Sequence, residues 1–305
     1  MTPVIALTLL APAVIAAQAQ APEWQKGAPL PDKRTEVAAA VVNGEIAVVG
    51  GFLPDGSSSN RVDLYSPARD SWRRLPNLPV GVNHSMAAGY RGRLYVVGGY
   101  VARGQALRGA YMLDRGRWRA LPRPPEERAA GGAAIVADKL YVAGGVGPGG
   151  LAKRMLVLDL KRGRWSTAPS PTAREHLAVT AHGGKIYAVA GRTAGIDTNN
   201  ALLESYTPGS RGWTRLAPVP DSRGGTGAAT LGGEIVSVGG EEPEGTIRTV
   251  YAYTVASKRW RRLDDLPTPR HGLGVTALGG RVYAIAGGEK PGLFVSDANE
   301  FIQLR

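Results

Sequence analysis

Histidine is scarce in this 305-residue chain, with four in all, and three of the four stand at one recurring place. His84, His176 and His271 each follow, by one or two positions, a residue that lies sixteen places before a pair of small residues. The two-residue segments at this place read Thr35-Glu36, Asn83-His84, Ala129-Ala130, Glu175-His176, Gly224-Gly225 and His271-Gly272. Imidazole is the usual acid–base and metal-ligating group near neutral pH. With the carboxylates Glu36 and Glu175 alongside, three imidazoles form the donor set of a metal or ligand centre. A second set directly follows the small pairs: Phe52, Tyr100, Val146, Arg192, Glu241 and Gly288-Glu289. An arginine such as Arg192 can hold a carboxylate in a bidentate fork, and Phe52 and Tyr100 can stack on a sugar ring. Glu175, His176 and Glu241 are therefore the candidates for acid–base chemistry. Glu36, Phe52, Asn83, His84, Tyr100, Arg192 and His271 are the candidates for ligand contact.

Whether these side chains meet depends on the elements that carry them, and those elements repeat. Trp24, Trp72, Trp118, Trp165, Trp213 and Trp260 are separated by 48, 46, 47, 48 and 47 residues. In step with them run the small pairs Gly50-Gly51, Gly98-Gly99, Gly144-Gly145, Ala190-Gly191, Gly239-Gly240 and Ala286-Gly287. Each pair ends a short apolar run such as Ile46-Ala47-Val48-Val49, which reads as a buried strand. A preceding run joins it through Asn43-Gly44, Arg91-Gly92, Gly183-Gly184, Gly232-Gly233 or Gly279-Gly280, the chemistry of tight hairpins. A third strand then carries Tyr65, Asp114, Asp159, Tyr206 or Tyr253, and a fourth carries Trp. Four antiparallel strands repeated at this period make the blade of a β-propeller.

The order of diglycine, Tyr or Asp segment and Trp resembles the kelch repeat, from about residue 23 to 305. The resemblance implies an all-β, six-bladed kelch propeller. Trp24 precedes every small pair, whereas the last unit has no Trp after Ala286-Gly287. The N-terminal strand around Trp24 is therefore expected to complete the last blade beside a strand near 298–303, closing the ring without a free edge. The arginines at 34, 128, 174, 223 and 270 recur in five of six units and are read as structural, covering an inter-blade loop and bonding backbone carbonyls. The residues after them do not recur. His84, His176 and His271 fall in alternate blades, so three imidazoles can converge on the axis. The opposing expectation is that the ring radius holds them apart, each bonded to a neighbouring loop, and the chain is read without resident metal or cofactor.

Residues 4–17 are almost unbroken apolar, and Ala17-Gln18-Ala19 follows as a small-x-small site. Residues 1–19 are read as a signal peptide and 20–305 as one propeller domain, periplasmic or secreted from a bacterium, monomeric, with no stable membrane span after cleavage. The chain has no cysteine, which excludes disulfides, thiol catalysis and the Cys–Tyr cross-link of galactose oxidase-type propellers. No Gly-x-Ser-x-Gly, His-Glu-x-x-His or phosphate-loop pattern is present. The net charge of +12 favours anionic partners, although arginines flanking the outer-strand Trp residues read first as a solvated surface. Nucleic acid is not expected, since no nucleic-acid module is visible.

Two functions follow. One is a binding module that recognises an anionic small molecule, a glycan or a protein through loops at the channel mouth. The alternative is a mutarotase- or epimerase-like enzyme acting on a sugar acid. The resemblance to the periplasmic sialic acid mutarotases, also six-bladed kelch propellers, extends to architecture and compartment only.

Overall fold

A computed structural model describes residues 23–102 and 104–304. The signal-peptide reading of residues 1–19 lies outside the described residues. Six four-stranded antiparallel sheets follow one another around a ring. The first blade runs Ala38–Val42, Glu45–Val49, Val62–Ser66 and Ser71–Arg74, and the next four keep the same order. In the sixth, Gly274–Leu278, Arg281–Ile285 and Asn299–Gln303 are joined on the outside by Trp24–Lys26. Trp24 pairs with Ile302 and Lys26 with Glu300, so the two ends of the chain share one sheet. The fourth blade departs slightly from expectation: its outer strand is Thr214–Arg215, and Trp213 stands just before it. Short two-stranded ribbons at Val146–Gly147/Gly150–Leu151 and Glu241–Glu242/Gly245–Thr246, and another starting at Tyr100, extend loops that the repeat does not specify.

The apolar side chains form six separate seams, each between two neighbouring blades. That is the economy of a propeller: a sheet buries both faces only when a neighbour covers each. The innermost strands carry small residues because six of them crowd one axis. They line a channel of about 230 Å³ with residues such as Ala39, Ala87, Ala133 and Thr180. A Cβ added to Gly89 would strike the Val41 carbonyl of the neighbouring strand. The small pairs answer to the same crowding. Gly98 has φ +60 and a Cβ there would meet the Arg128 carbonyl, whereas Ala190 and Ala286 take the same turn at φ 52 and 59.

Every indole N–H reaches a carbonyl of the blade before it. Trp72 donates to Ala28 O at 2.8 Å, Trp118 to Pro76 O at 2.8 Å, and Trp260 to Ala217 O at 2.9 Å. Trp24 donates to Asp264 O at 2.9 Å and so fastens the closing strand to the fifth blade. Trp24→Phe keeps most of the apolar body and removes this bond. It is expected to lower unfolding stability by about 1 kcal/mol in urea, and a wild-type midpoint would show that the bond contributes nothing.

The recurring arginines are fully buried, at 0% exposure. Each donates to the carbonyl sixteen residues on, the first of its small pair: Arg128 to Gly144 O at 2.9 Å, Arg174 to Ala190 O at 2.6 Å, Arg270 to Ala286 O at 2.8 Å. Three are also paired with buried carboxylates, Arg34 with Asp63, Arg174 with Glu204 and Arg270 with Glu300. The structural reading of these residues is the one the geometry bears out. Outside, Arg73 pairs with Glu45, Arg261 with Glu234 and Arg262 with Asp265, so much of the basic charge near the outer Trp residues is met by local carboxylates.

Candidate functional site

The position directly after each recurring Arg or Val bridges, antiparallel, to the position directly after the small pair. The six bridges are Thr35–Phe52, Asn83–Tyr100, Ala129–Val146, Glu175–Arg192, Gly224–Glu241 and His271–Gly288. The two sets of candidates in the sequence are thus one set of facing pairs at a single mouth of the channel. One residue further on, the backbones link blade to blade. His84 N donates to Glu36 O at 2.9 Å, Ala130 N to His84 O at 3.0 Å, and His176 N to Ala130 O at 2.8 Å. Gly225 N reaches His176 O at 2.9 Å, Gly272 N reaches Gly225 O at 2.9 Å, and Val37 N closes the belt on Gly272 O at 3.2 Å. All six belt residues have positive φ, with Glu36 at 53, His84 at 51 and His176 at 50. Side chains in this left-handed region are uncommon and cost free energy relative to glycine. Glu36, His84 and His176 are held there by the belt, and each points its side chain into the mouth.

The side chains close a second ring inside the first. Glu36 Oε2 lies 3.1 Å from His84 Nε2, which lies 2.9 Å from His176 Nε2. His176 Nδ1 is 2.8 Å from Glu175 Oε2, close but out of line for a full hydrogen bond. Glu175 Oε1 accepts from Arg192 Nε at 3.0 Å, and Arg192 Nη1 donates to Glu241 Oε1 at 2.7 Å. His271 Nδ1 completes the circuit, 3.5 Å from Glu241 Oε2 and 3.2 Å from Glu36 Oε1. Seven residues from five blades therefore form one continuous polar network. The third blade has only Ala129, Ala130 and Val146 at these positions and adds no polar side chain.

Burial sets the protonation of this ring. It pushes the His84 imidazole down to about 4, against the pull of Glu36 and with a further push from His176. Burial alone would raise the Glu36 carboxyl, but His84, His271 and His176 hold it well below the usual carboxylate range. For His271 burial again acts downward, yet Glu36 and Glu241 outweigh it and raise the imidazole above its ordinary value. Glu175, which burial would raise, is kept low by His176 and Arg192.

Above the ring opens a cavity of about 870 Å³, lined by Glu36, Phe52, Asn83, His84, Tyr100, His176, Arg192, Glu241 and His271. That volume suits a small molecule or an inserted segment of a larger one. Phe52 and Tyr100 meet the His84 ring edge-on, with centroids 5.8 and 5.5 Å away.

Several expectations change. The ring radius does not hold the imidazoles apart, but only His84 and His176 touch. His271 bonds Glu36 and the Lys290 carbonyl instead, 3.1 Å from its Nε2, because it stands one position earlier in its blade. Arg192 is not a free carboxylate fork: two glutamates take Nε and Nη1. Asn83 is a positioning residue, its Nδ2 donating to Ser58 Oγ at 2.8 Å and to Tyr100 O at 3.3 Å while Oδ1 faces His84 Nδ1 at 2.6 Å. The mouth does not share the chain's basic excess, since three carboxylates line it beside one arginine.

Sequence reasoning missed Asn199, whose Nδ2 donates to Glu241 O at 2.6 Å, and the pocket-lining Ser58 and Leu293. These lie in loops outside the repeat and carried no signal. The left-handed belt did carry one: Gly225 and Gly272 occupy its positions in two blades, as a positive φ invites.

The fold and this mouth define a six-bladed β-propeller with loops around one channel opening. Residues 36–218 match the KLHDC2/KLHL20/DRC7 kelch-repeats domain, and residues 222–267 match the kelch motif. The chain belongs to the kelch-repeat β-propeller family, whose propellers generally serve as protein-binding modules. It is similar to the Kelch-like protein terF of Aspergillus terreus, 30% identical over 243 residues, covering 72% of this chain and 52% of that protein. Kelch-like protein 36 of Bos taurus is 27% identical over 229 residues, covering 73% of this chain and 30% of its own length. Kelch-like protein 34 of Homo sapiens is 29% identical over 221 residues, covering 71% of this chain and 27% of its own. The chain thus spans about half the length of the fungal relative and under a third of the two mammalian ones. Among the described residues no helix is long and apolar enough to cross a membrane.

Proposed function

We propose that the chain is an exported protein-recognition module that takes a polar group of its partner into the mouth cavity. The observation that carries this reading is the rim. Leu293 and Phe294 are 62% and 51% exposed, the large apolar side chains of the described residues that stand out in solvent, and Leu293 lines the cavity itself. An apolar rim beside a polar pocket is the layout of an interface whose partner extends beyond the pocket. Export rests on the apolar segment at residues 4–17.

A displayed library of random peptides tests the proposal. Peptide families that bind the wild type and lose at least tenfold in affinity to Leu293→Ser/Phe294→Ser are expected. No peptide binding, with oligosaccharides bound instead on a glycan array, would transfer the reading to a glycan partner and overturn it.

The contact of His176 on the cavity wall with Glu175 favours the second reading, an acid–base enzyme acting on a sugar acid. Under it, the protein accelerates anomeric exchange of freshly dissolved sialic acid in proton NMR and Glu175→Gln abolishes the acceleration. Under the first reading, exchange proceeds at the buffer rate.

A further inference from the structure

The floor of the mouth has a chemistry that protein recognition does not use. Glu36, His84 and His176 line both the large cavity and a smaller one of about 80 Å³ beneath it, so they stand between mouth and channel. One ligand-type atom from each lies within 4.8 Å of the others. The contacts, 2.9 Å between the two Nε2 atoms and 3.1 Å from His84 Nε2 to Glu36 Oε2, approach the spacing of donors around one ion. In a tetrahedral zinc site with bonds of ~2.0–2.1 Å, neighbouring donor atoms stand about 3.3 Å apart.

Counting hydrogens sharpens the point. Asn83 Nδ2 donates to the Tyr100 carbonyl, which fixes the amide and leaves Oδ1 facing His84 Nδ1. An amide oxygen only accepts, so Nδ1 carries the proton and neutral His84 presents a bare Nε2. His176 Nδ1 lies 2.8 Å from a carboxylate oxygen of Glu175, though out of line for a full hydrogen bond, and the tautomer with its proton on that side bares Nε2. Two imidazole lone pairs and a carboxylate oxygen then converge with no donor hydrogen among them. Such an arrangement is repulsive alone and attractive around a cation.

The surroundings are those of a metal centre as well. Ligating histidines ordinarily give their other N–H to an oxygen acceptor that orients the ring. Asn83 and Glu175 stand in those places, and His271 Nδ1 holds the far oxygen of Glu36 at 3.2 Å. All three donors occupy the same belt position in blades one, two and four, where inter-blade hydrogen bonds hold the backbone at φ near 50. We propose that Glu36, His84 and His176 bind one divalent transition-metal ion of the zinc class, with its remaining position open to the mouth cavity. Two imidazoles and one carboxylate select zinc, cobalt or a similar ion over magnesium or calcium, which prefer all-oxygen shells. The proposal is independent of what the rim recognises.

Chelator-treated full-length protein titrated with Co2+ alone tests it. One ion per chain is expected, with the visible absorption of low-coordinate cobalt, displaced by an equivalent of Zn2+. His84→Asn and His176→Asn, chosen because Asn accepts a left-handed backbone, are expected to weaken Zn2+ binding at least tenfold. His182→Asn, outside the mouth, is expected to leave it unchanged. Glu175→Gln is expected to cost roughly 10–100-fold in affinity with one ion still bound. Should the asparagine variants misfold, paramagnetic shifts of the His84 and His176 ring signals in Co2+-loaded wild type replace them. No cobalt spectrum at millimolar metal, equal binding in the asparagine variants, or unshifted ring signals would overturn the assignment.

Discussion

Arg270→Met is expected to destabilise the propeller by about 3–5 kcal/mol, the loss typical of a buried ion pair stripped of one partner. Arg270 is fully buried and meets Glu300 at 2.5 Å, with the carboxylate also out of solvent. It further donates to Ala286 O, Thr268 O and Ala284 O at 2.8, 2.7 and 2.9 Å. Methionine fills much of the volume and satisfies none of these acceptors. The cost therefore comes from a stranded carboxylate and unpaired carbonyls rather than from a cavity. The added substitution Glu300→Gln removes the stranded charge and is expected to restore part of the loss, measured by urea unfolding. A single variant within 1 kcal/mol of wild type would show that the repeated arginines do not fasten the turns at the small pairs.

Arg192→Met is expected to cost about 2–4 kcal/mol near neutral pH, since it leaves Glu175 and Glu241 facing one another without their shared cation. Its pH dependence distinguishes this from a packing defect. In the wild type the Glu175 carboxyl is held low by His176 and Arg192 against burial. A depressed carboxyl contributes stability that is present above its unfolded value and lost as pH falls through the folded one. Without Arg192 burial dominates and the carboxyl is expected to rise, so the variant gains relative stability as one glutamate takes up a proton. The gap between wild type and variant should narrow as pH falls from 7.5 to 5. A gap constant with pH would assign the loss to packing alone.

The architecture was legible because the Trp interval and the small pairs are imposed by ring geometry. An indole must reach the previous blade, and a crowded turn must take positive φ. Trp24 could be placed in the last blade by counting alone. The arginines were legible as structure because they recur. The site residues were legible only as exceptions to the repeat, and their fixed phase placed them at one mouth. What they do to one another was not legible. Arg192 looked like a ligand anchor because its type is known from the sequence, whereas its two glutamate partners depend on loop paths that no period describes. The one-residue offset of His271 from His84 and His176 was legible in the sequence, but that it turns the ring toward Glu36 was not. The sequence was read without a resident metal because the ring radius was expected to hold the histidines apart. The Glu36, His84 and His176 donors meet only because blades one, two and four close into a ring. Asn199, Ser58 and Leu293 lie in unrepeated loops and had no pattern to betray them.

The central claim is that the unrepeated residues at the mouth form one coupled polar ring. Long-range 15N–1H correlation spectra of the imidazoles, recorded against pH on chelator-treated protein, test it most directly. The account predicts His84 neutral at pH 6 with its proton on Nδ1, titrating near the value of about 4 that burial imposes. It predicts His271 still protonated above the ordinary histidine value, through Glu36 and Glu241. His84 and His271 titrating together near 6.5, as isolated imidazoles do, would contradict it.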